Sequence, residues 1–191
     1  MSKFKYLRGS EWRKWDLHFH TPSSYDYRDK SISDERIIEV LRENNISVVA
    51  ITDHHIIDVD RIIKLREIAG GIITILPGIE FCSDTRGDES VHFIGIFPED
   101  ADLEFIRDEI LVKAEINKQR QEGRNENEIY CDLKKTSKLI KELGGIVTIH
   151  AGSKSNSIEN ITNSLPVTMA EKRDIAEYID IFELGKRSKR L

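Results

Sequence analysis

The chain is poor in cysteine, has no excess of basic charge and lacks any long apolar run, and each shortage removes a class of function. Cys82 and Cys131 are the only cysteines in 191 residues. They are too few and too far apart for a zinc ribbon or a disulfide framework, which fits a reducing cytosol. Lys and Arg number 29 against 34 Asp and Glu, a formal net charge of -5, which argues against a broad basic surface for nucleic acid but leaves room for a local phosphate site. The opening segment MSKFKYLRGS has no apolar signal core, and no uninterrupted apolar stretch approaches membrane-spanning length. The expectation is a soluble cytoplasmic protein that makes no use of a membrane. No Pro/Gly/Ser-rich linker divides the chain, so residues 1–191 are expected to form one domain. No G-x-S-x-G elbow, P-loop or dinucleotide fingerprint is present either.

What the chain does have is histidine in particular places. All six histidines sit at the ends of expected strands: His18 and His20 in WDLHFHTPSS, His54 and His55 in VVAITDHH, His92 in VHFIGIF, and His150 in GIVTIHAG. Residues two apart on a strand share a face, so His18 and His20 point the same way while Phe19 points into an apolar layer behind them. An isolated H-x-H is weak evidence. Neutral imidazoles at several strand ends with carboxylates nearby point to one metal cluster.

Apolar patterning gives strands and helices in alternation. Strands are expected over residues 14–20, 47–54, 72–81, 91–97, 145–151 and 180–184, and helices over residues 34–44, 60–69, 103–121, 132–143 and 169–179. Ser33 and Asp60 are the expected N-caps, and Gly70-Gly71 and Gly144-Gly145 the expected stops. Repeated β-then-α units mean an α/β fold with a mostly parallel sheet, and VVAIT, IITIL and GIVTI are apolar on both faces, as buried parallel strands require. Only nine residues, CSDTRGDES, separate Phe81 from Val91, too few for a helical crossover, so those two strands are expected to be antiparallel neighbours or else to be separated by a local irregularity. Residues 156–168 read as a long polar loop after His150. Parallel α/β architectures keep their sites at strand C-termini. Glu80, closing LPGIE, and Asp26 would add anionic ligands there, with Glu80 as the choice to bridge two ions.

With these residues in view, the chain resembles the PHP (polymerase and histidinol phosphatase) superfamily of metal-dependent phosphoesterases. The resemblance rests on DLHFHT with Asp26 downstream, Thr52-Asp53-His54, PGIE ending at Glu80, His92, and TIHAG containing His150, in family order from about Asp16 to Glu183. It implies a distorted (β/α)7 barrel and two or three divalent ions of zinc, manganese or iron. The implied ligands are His18, His20, Asp26, His54, Glu80, His92 and His150, and the implied reaction is hydrolysis of a phosphomonoester or phosphodiester, nucleic acid included, by metal-activated water. The family ends in a further strand bearing Asp-x-His, whereas this sequence stops at GKRSKRL. The barrel is therefore expected to be incomplete, with about six strands and the last one missing. Either the chain continues, a partner supplies the rest, or the site holds fewer ions. The wording GSEWRKWDLHFHTPSS and KELGGIVTIHAGSKSNSIEN is most similar to PHP domains fused ahead of an SMC-like or AAA-type ATPase, which implies an ATPase domain in the same or a partner chain. The alternative is a docking module for such an ATPase that binds metal without catalysis. An amidohydrolase on a related barrel would want a carboxylated lysine at a strand end, and no strand end offers one.

Other residues carry narrower expectations. Glu80, His55 and Lys154 are the catalytic candidates, and Arg28, Lys154 and Arg187 are candidates for gripping phosphate. His55 alternates away from His54, which suggests a solvent-exposed or orienting role rather than ligation. Asp16 and Asp53 either orient imidazoles or satisfy backbone N–H groups. Glu183 either braces the barrel or meets substrate, and Cys82 reads as a small apolar filler.

Overall fold

Six strand segments fold into one sheet, with helices following the first, second, fourth and fifth of them and a short link following the third. The computed structural model describes residues 12–83, 90–152, 156–160 and 165–184. Its strands are β1 (Lys14–Phe19), β2 (Ile46–Ile51), β3 (Thr74–Cys82), β4 (His92–Ile96), β5 (Ile146–Ala151) and β6 (Ile181–Leu184), arranged in the order β1-β2-β3-β4-β5-β6. Pairing is parallel from β1 to β3, antiparallel for β3 with β4 and for β4 with β5, and parallel again for β5 with β6. The short connection after β3 thus reverses one strand, as its length requires. The result is an α/β half-barrel in which β1 and β6 are the two edges of the sheet among the described residues.

The helices are α1 (Asp34–Glu43), α2 (Val59–Ala69), α3 (Leu103–Lys113), α4 (Ile116–Gln121), α5 (Leu133–Glu142) and α6 (Leu165–Ala176). Side chains of Ser33, Asp58, Asp102 and Asp132 accept backbone N–H groups in the first turns of α1, α2, α3 and α5. Asp58, not Asp60, caps α2: the two aspartates stand two apart, and only the first has the extended backbone a cap needs. The expected helix over 103–121 is two helices, because Glu115 takes a left-handed conformation at φ +59° between them. The stretch 156–168 is not all loop, since Ile158–Asn160 form a short 3-10 turn and α6 begins at Leu165, with Pro166 in its first turn where no intrahelical donor is missed. No described helix is long and apolar enough to cross a membrane.

Strand alternation divides the sheet into two faces. One large core joins helix residues such as Ile38, Leu65, Ile110 and Ile140 to strand residues such as Ile75, Phe81, Phe93 and Ile149. A smaller cluster of Leu17, Ala50, Leu76, Ile94 and Ile96 contains strand residues alone and lines the concave face. Polar side chains one pleat further along that face form the site.

Candidate metal centre

Alternation on β3 puts Leu76, Glu80 and Cys82 on the concave side, with Ile79 and Phe81 in the core behind. The same rule brings His150 from β5 and Glu183 from β6, which are register partners. His92 is the first residue of β4, not its last, yet it reaches the same rim because β4 runs against its neighbours, opposite Cys82. The pairing of β1 shifts between Asp16 and Phe19, so Leu17 joins the concave cluster, Phe19 packs on the main core, and His18 and His20 both face the rim. β2 ends at Ile51, short of the expected end, and the chain continues irregularly to His54, which bridges to Glu80.

Glu80, only 1% exposed, is the hub. Its Oε2 lies 2.8 Å from His18 Nε2, 2.6 Å from His20 Nε2 and 3.4 Å from His54 Nε2. Its Oε1 lies 2.7 Å from His92 Nδ1 and 3.7 Å from His150 Nε2. The far nitrogens of four of these rings are held too, and among the described residues that of His54 is not. His18 Nδ1 meets Glu183 Oε2 at 3.0 Å, His20 Nδ1 meets Asp26 Oδ1 at 3.2 Å, and His150 Nδ1 meets Asn156 Oδ1 at 2.9 Å. His92 Nε2 lies 3.5 Å from Cys82 Sγ.

This pattern fits a cation. A ring nitrogen that faces a carboxylate or amide oxygen carries its hydrogen there, which leaves the inner nitrogen as an unshared pair. Two such nitrogens, His18 Nε2 and His20 Nε2, stand 3.2 Å apart against one carboxylate oxygen. Only protons or a metal ion placed among them relieve that crowding of electron pairs. Among the described residues, five groups of three donor atoms lie within 4.8 Å of one another: His18, His20 and Glu80; His18, His150 and Glu183; His20, Asp26 and His54; His54, Glu80 and His92; and His54, His55 and Cys82. Imidazole and carboxylate together suit zinc, manganese and iron.

Without an ion, protons take its place. Burial pulls His18 down, but hydrogen bonds to Glu183 and Glu80 overcome that and raise it to about 9. Burial likewise opposes His92, and Cys82 and Glu80 raise it to about 10. His20 is raised, against burial, by Glu80. Glu80 itself resists burial and stays well below the usual carboxylate range because His18, His20 and His92 bond to it. Burial lowers His54 to about 4. Asp26 is held low, against burial, by Ser24 and His20.

The structure therefore brings together His18, His20, Asp26, His54, Glu80, His92 and His150. His55 is not solvent-exposed: the chain curls after β2, placing it at φ +56° and 0% exposure. Its Nε2 accepts the Cys82 N–H at 3.2 Å, its own N–H donates to the Glu80 carbonyl at 2.9 Å, and burial lowers its pKa to about 3. These contacts give it a bracing position beneath Glu80. Asp53 accepts from both the N–H and the hydroxyl of Thr21, each at 2.6 Å, and Asp16 accepts the His18 N–H at 3.3 Å. Both aspartates thus satisfy backbone groups. Arg28 is exposed and stands in no described contact with the cluster. Lys154 and Arg187 lie outside the described residues. Sequence reasoning missed Asn156 and Ser24, whose hydroxyl accepts the His54 N–H at 3.1 Å and donates to Asp26 Oδ1 at 2.6 Å. Neither carries a motif, and only the three-dimensional arrangement marks them.

No protein-family model and no curated protein matches the chain. Among solved structures, it is similar to a candidate metal-dependent phosphoesterase from Bifidobacterium adolescentis, with TM-score 0.55 and 16% identity over 90% of this chain and 77% of that one. It is similar to an amidohydrolase from Chromobacterium violaceum, solved with sulfate and no metal, with TM-score 0.54 and 15% identity over 88% and 75% of the two chains. It also matches 48% of a two-domain protein from Bacteroides vulgatus that contains a predicted PHP-like metal-dependent phosphoesterase, with TM-score 0.52 and 15% identity over 91% of this chain. The half-barrel is a fold shared with PHP-like metal-dependent phosphoesterases and an amidohydrolase of known structure.

Proposed function

We propose that the chain is a metal-dependent phosphoesterase of PHP type, which hydrolyses a phosphomonoester or phosphodiester, nucleic acid included. The observation that carries this reading is the convergence of five imidazoles, from His18, His20, His54, His92 and His150, within 3.7 Å of the Glu80 carboxylate. These residues and Asp26 would hold two or three ions of zinc, manganese or iron, with Glu80 shared between two. Bound there, such ions supply Lewis acidity toward a phosphoryl oxygen and make water nucleophilic at neutral pH.

The protein's own contributions are orientation and charge. Glu183, Asp26 and Asn156 each hold the outer nitrogen of one imidazole, which fixes its tautomer and aims its inner nitrogen. His55 ties the end of β3 to the turn after β2 and so keeps Glu80 in register. With imidazoles neutral, Glu80 and Asp26 leave two divalent ions with excess positive charge, which a phosphate dianion neutralises and an amide does not. Lys154, Arg28 and Arg187 are the cations we propose for gripping the phosphate. An ATPase domain in the same or a partner chain, in the cytoplasm, is the proposed setting.

The test is a panel of phosphomonoesters, phosphodiesters, single-stranded DNA and N-acyl amides, offered to the full chain with added Mn2+ or Zn2+. Phosphate ester turnover is expected, lost together with bound metal when His18 and His20 are both changed to Ala. Amide turnover alone would assign the chain to amidohydrolase chemistry. Bound metal without any turnover would assign it to a docking role.

A further inference from the structure

We propose that Tyr25 is a substrate-contacting residue that sets specificity: the open face of its ring stacks on a nucleobase carried by the phosphate, so that the substrate is a nucleotide. The inference rests on the phosphoesterase reading above and narrows its substrate class.

Tyr25 directly precedes Asp26 in the loop after β1. The cluster opens to solvent at Asp26, whose side chain is 43% exposed, whereas that of His54 beside it is closed off at 4%. Tyr25 packs on this closed side. Its ring centroid stands 5.0 Å from that of His54, at a tilt of 35°, and 6.3 Å from that of His55, nearly parallel at 13°. Those two imidazoles are only 5.8 Å apart, so both lie on one side of the phenol ring. The hydroxyl is hydrogen-bonded to the Cys82 side chain, which is itself buried, and this fixes the direction in which the ring points. Tyr25 nevertheless keeps 37% of its surface in solvent. With one side packed and the hydroxyl tied down, that exposure falls on the side of the ring turned away from His54 and His55. The loop thus presents a fixed aromatic face at the lip of the ion cluster.

An aromatic face held open beside a phosphate site has a use when the phosphate brings a flat ring to it. Stacking of a base on such a ring adds on the order of tenfold or more in affinity, and it accepts any base because every base has a π-face. The ring is already fixed before the substrate arrives, so little conformational entropy is lost on contact. A formal net charge of -5 argues against a broad basic surface that would hold a nucleic acid along its backbone. Affinity beyond the phosphate must then come from the group that the phosphate carries. The ion cluster takes the phosphate and Tyr25 takes the base. A base stacked inside a duplex has no face to offer, so mononucleotides and unpaired strand ends are the forms accepted.

Binding tests this without relying on turnover. Isothermal titration of the full chain loaded with Zn2+ compares phosphonate isosteres of adenosine monophosphate, ribose 5-phosphate and phenyl phosphate, whose P–C bond resists hydrolysis. The first two differ by the base alone, and the nucleotide isostere is expected to bind about tenfold or more tighter. Tyr25→Leu still covers both imidazoles but has no π-face. It should abolish that advantage while leaving the affinity for the ribose isostere within about threefold, and Tyr25→Phe should keep the advantage. Should Tyr25→Leu fail to fold, Tyr25→Met serves the same purpose. Equal affinity for the first two isosteres, or an advantage that survives Tyr25→Leu or Tyr25→Met, would overturn the role of Tyr25 and leave the phosphoesterase reading standing. A phenyl isostere that binds as tightly as the nucleotide would assign the ring to aryl esters and overturn the nucleotide assignment. Failure of all three to bind the metal-loaded chain would overturn both readings.

Discussion

Replacing Glu80 by Gln keeps the shape of the hub and removes its charge. In the ion-free protein Glu80 accepts three hydrogen bonds of 2.6–2.8 Å from His18, His20 and His92, side chains that are only 19–22% exposed. Solvent screens such a network weakly, and removing one partner of a buried charged pair costs about 3–5 kcal/mol. A chain of 191 residues loses roughly 2–4 °C of melting temperature per kcal/mol, so the ion-free variant should melt roughly 6–20 °C lower at pH 7. Thermal melts followed by circular dichroism in chelator measure it directly. The sign with pH is fixed by the raised imidazoles. Because His18 and His92 titrate at about 9 and about 10 instead of 6.5, their stabilisation is fully present below pH 6.5 and is lost as pH rises through about 9–10. The gap between wild type and Glu80→Gln should therefore close above pH 10. Melts that coincide within about 2 °C at pH 7 would refute the buried charge network.

Other expectations follow from the same geometry. Ion entry must displace the protons on His18 and His92, so apparent Zn2+ affinity should rise by about tenfold or more per pH unit between pH 6 and 8; a pH-independent affinity in isothermal titration would contradict it. Glu183→Leu and Asn156→Leu should each weaken metal binding by about 10–100-fold, because the outer nitrogens of His18 and His150 lose their partners, with far-ultraviolet circular dichroism unchanged. Gly78→Ala should destabilise by about 1–3 kcal/mol in urea unfolding, since its Cβ would lie 2.9 Å from both the Gly95 carbonyl and the Thr52 methyl.

Much of this architecture is legible in the sequence, for reasons that can be named. The period of two in His18-Phe19-His20 and in Glu80-Phe81-Cys82 assigns faces before any fold is known. The nine-residue link before Val91 forces an antiparallel pair, and that reversal is what carries His92 to the rim although it begins its strand. Other features depend on tertiary registration that no local pattern encodes. Glu183 meets His18 only because β6 pairs with β5 and thereby curls toward β1, 165 residues away in sequence. Asn156 follows His150 by six residues in a stretch that reads as plain polar loop. Left-handed Glu115 and His55 escape prediction because that conformation ordinarily belongs to Gly or Asn. Alternation, which places His55 opposite His54, fails where the strand has already ended.

The most direct measurement is elemental analysis of the full chain, equilibrated with Zn2+ or Mn2+ and then dialysed exhaustively against metal-free buffer. We expect two or more ions per chain, falling in proportion when His18 and His20 are changed together to Ala. A chain that retains less than one ion, or a double variant that retains as much as wild type, would contradict the convergence of these imidazoles on a shared cation.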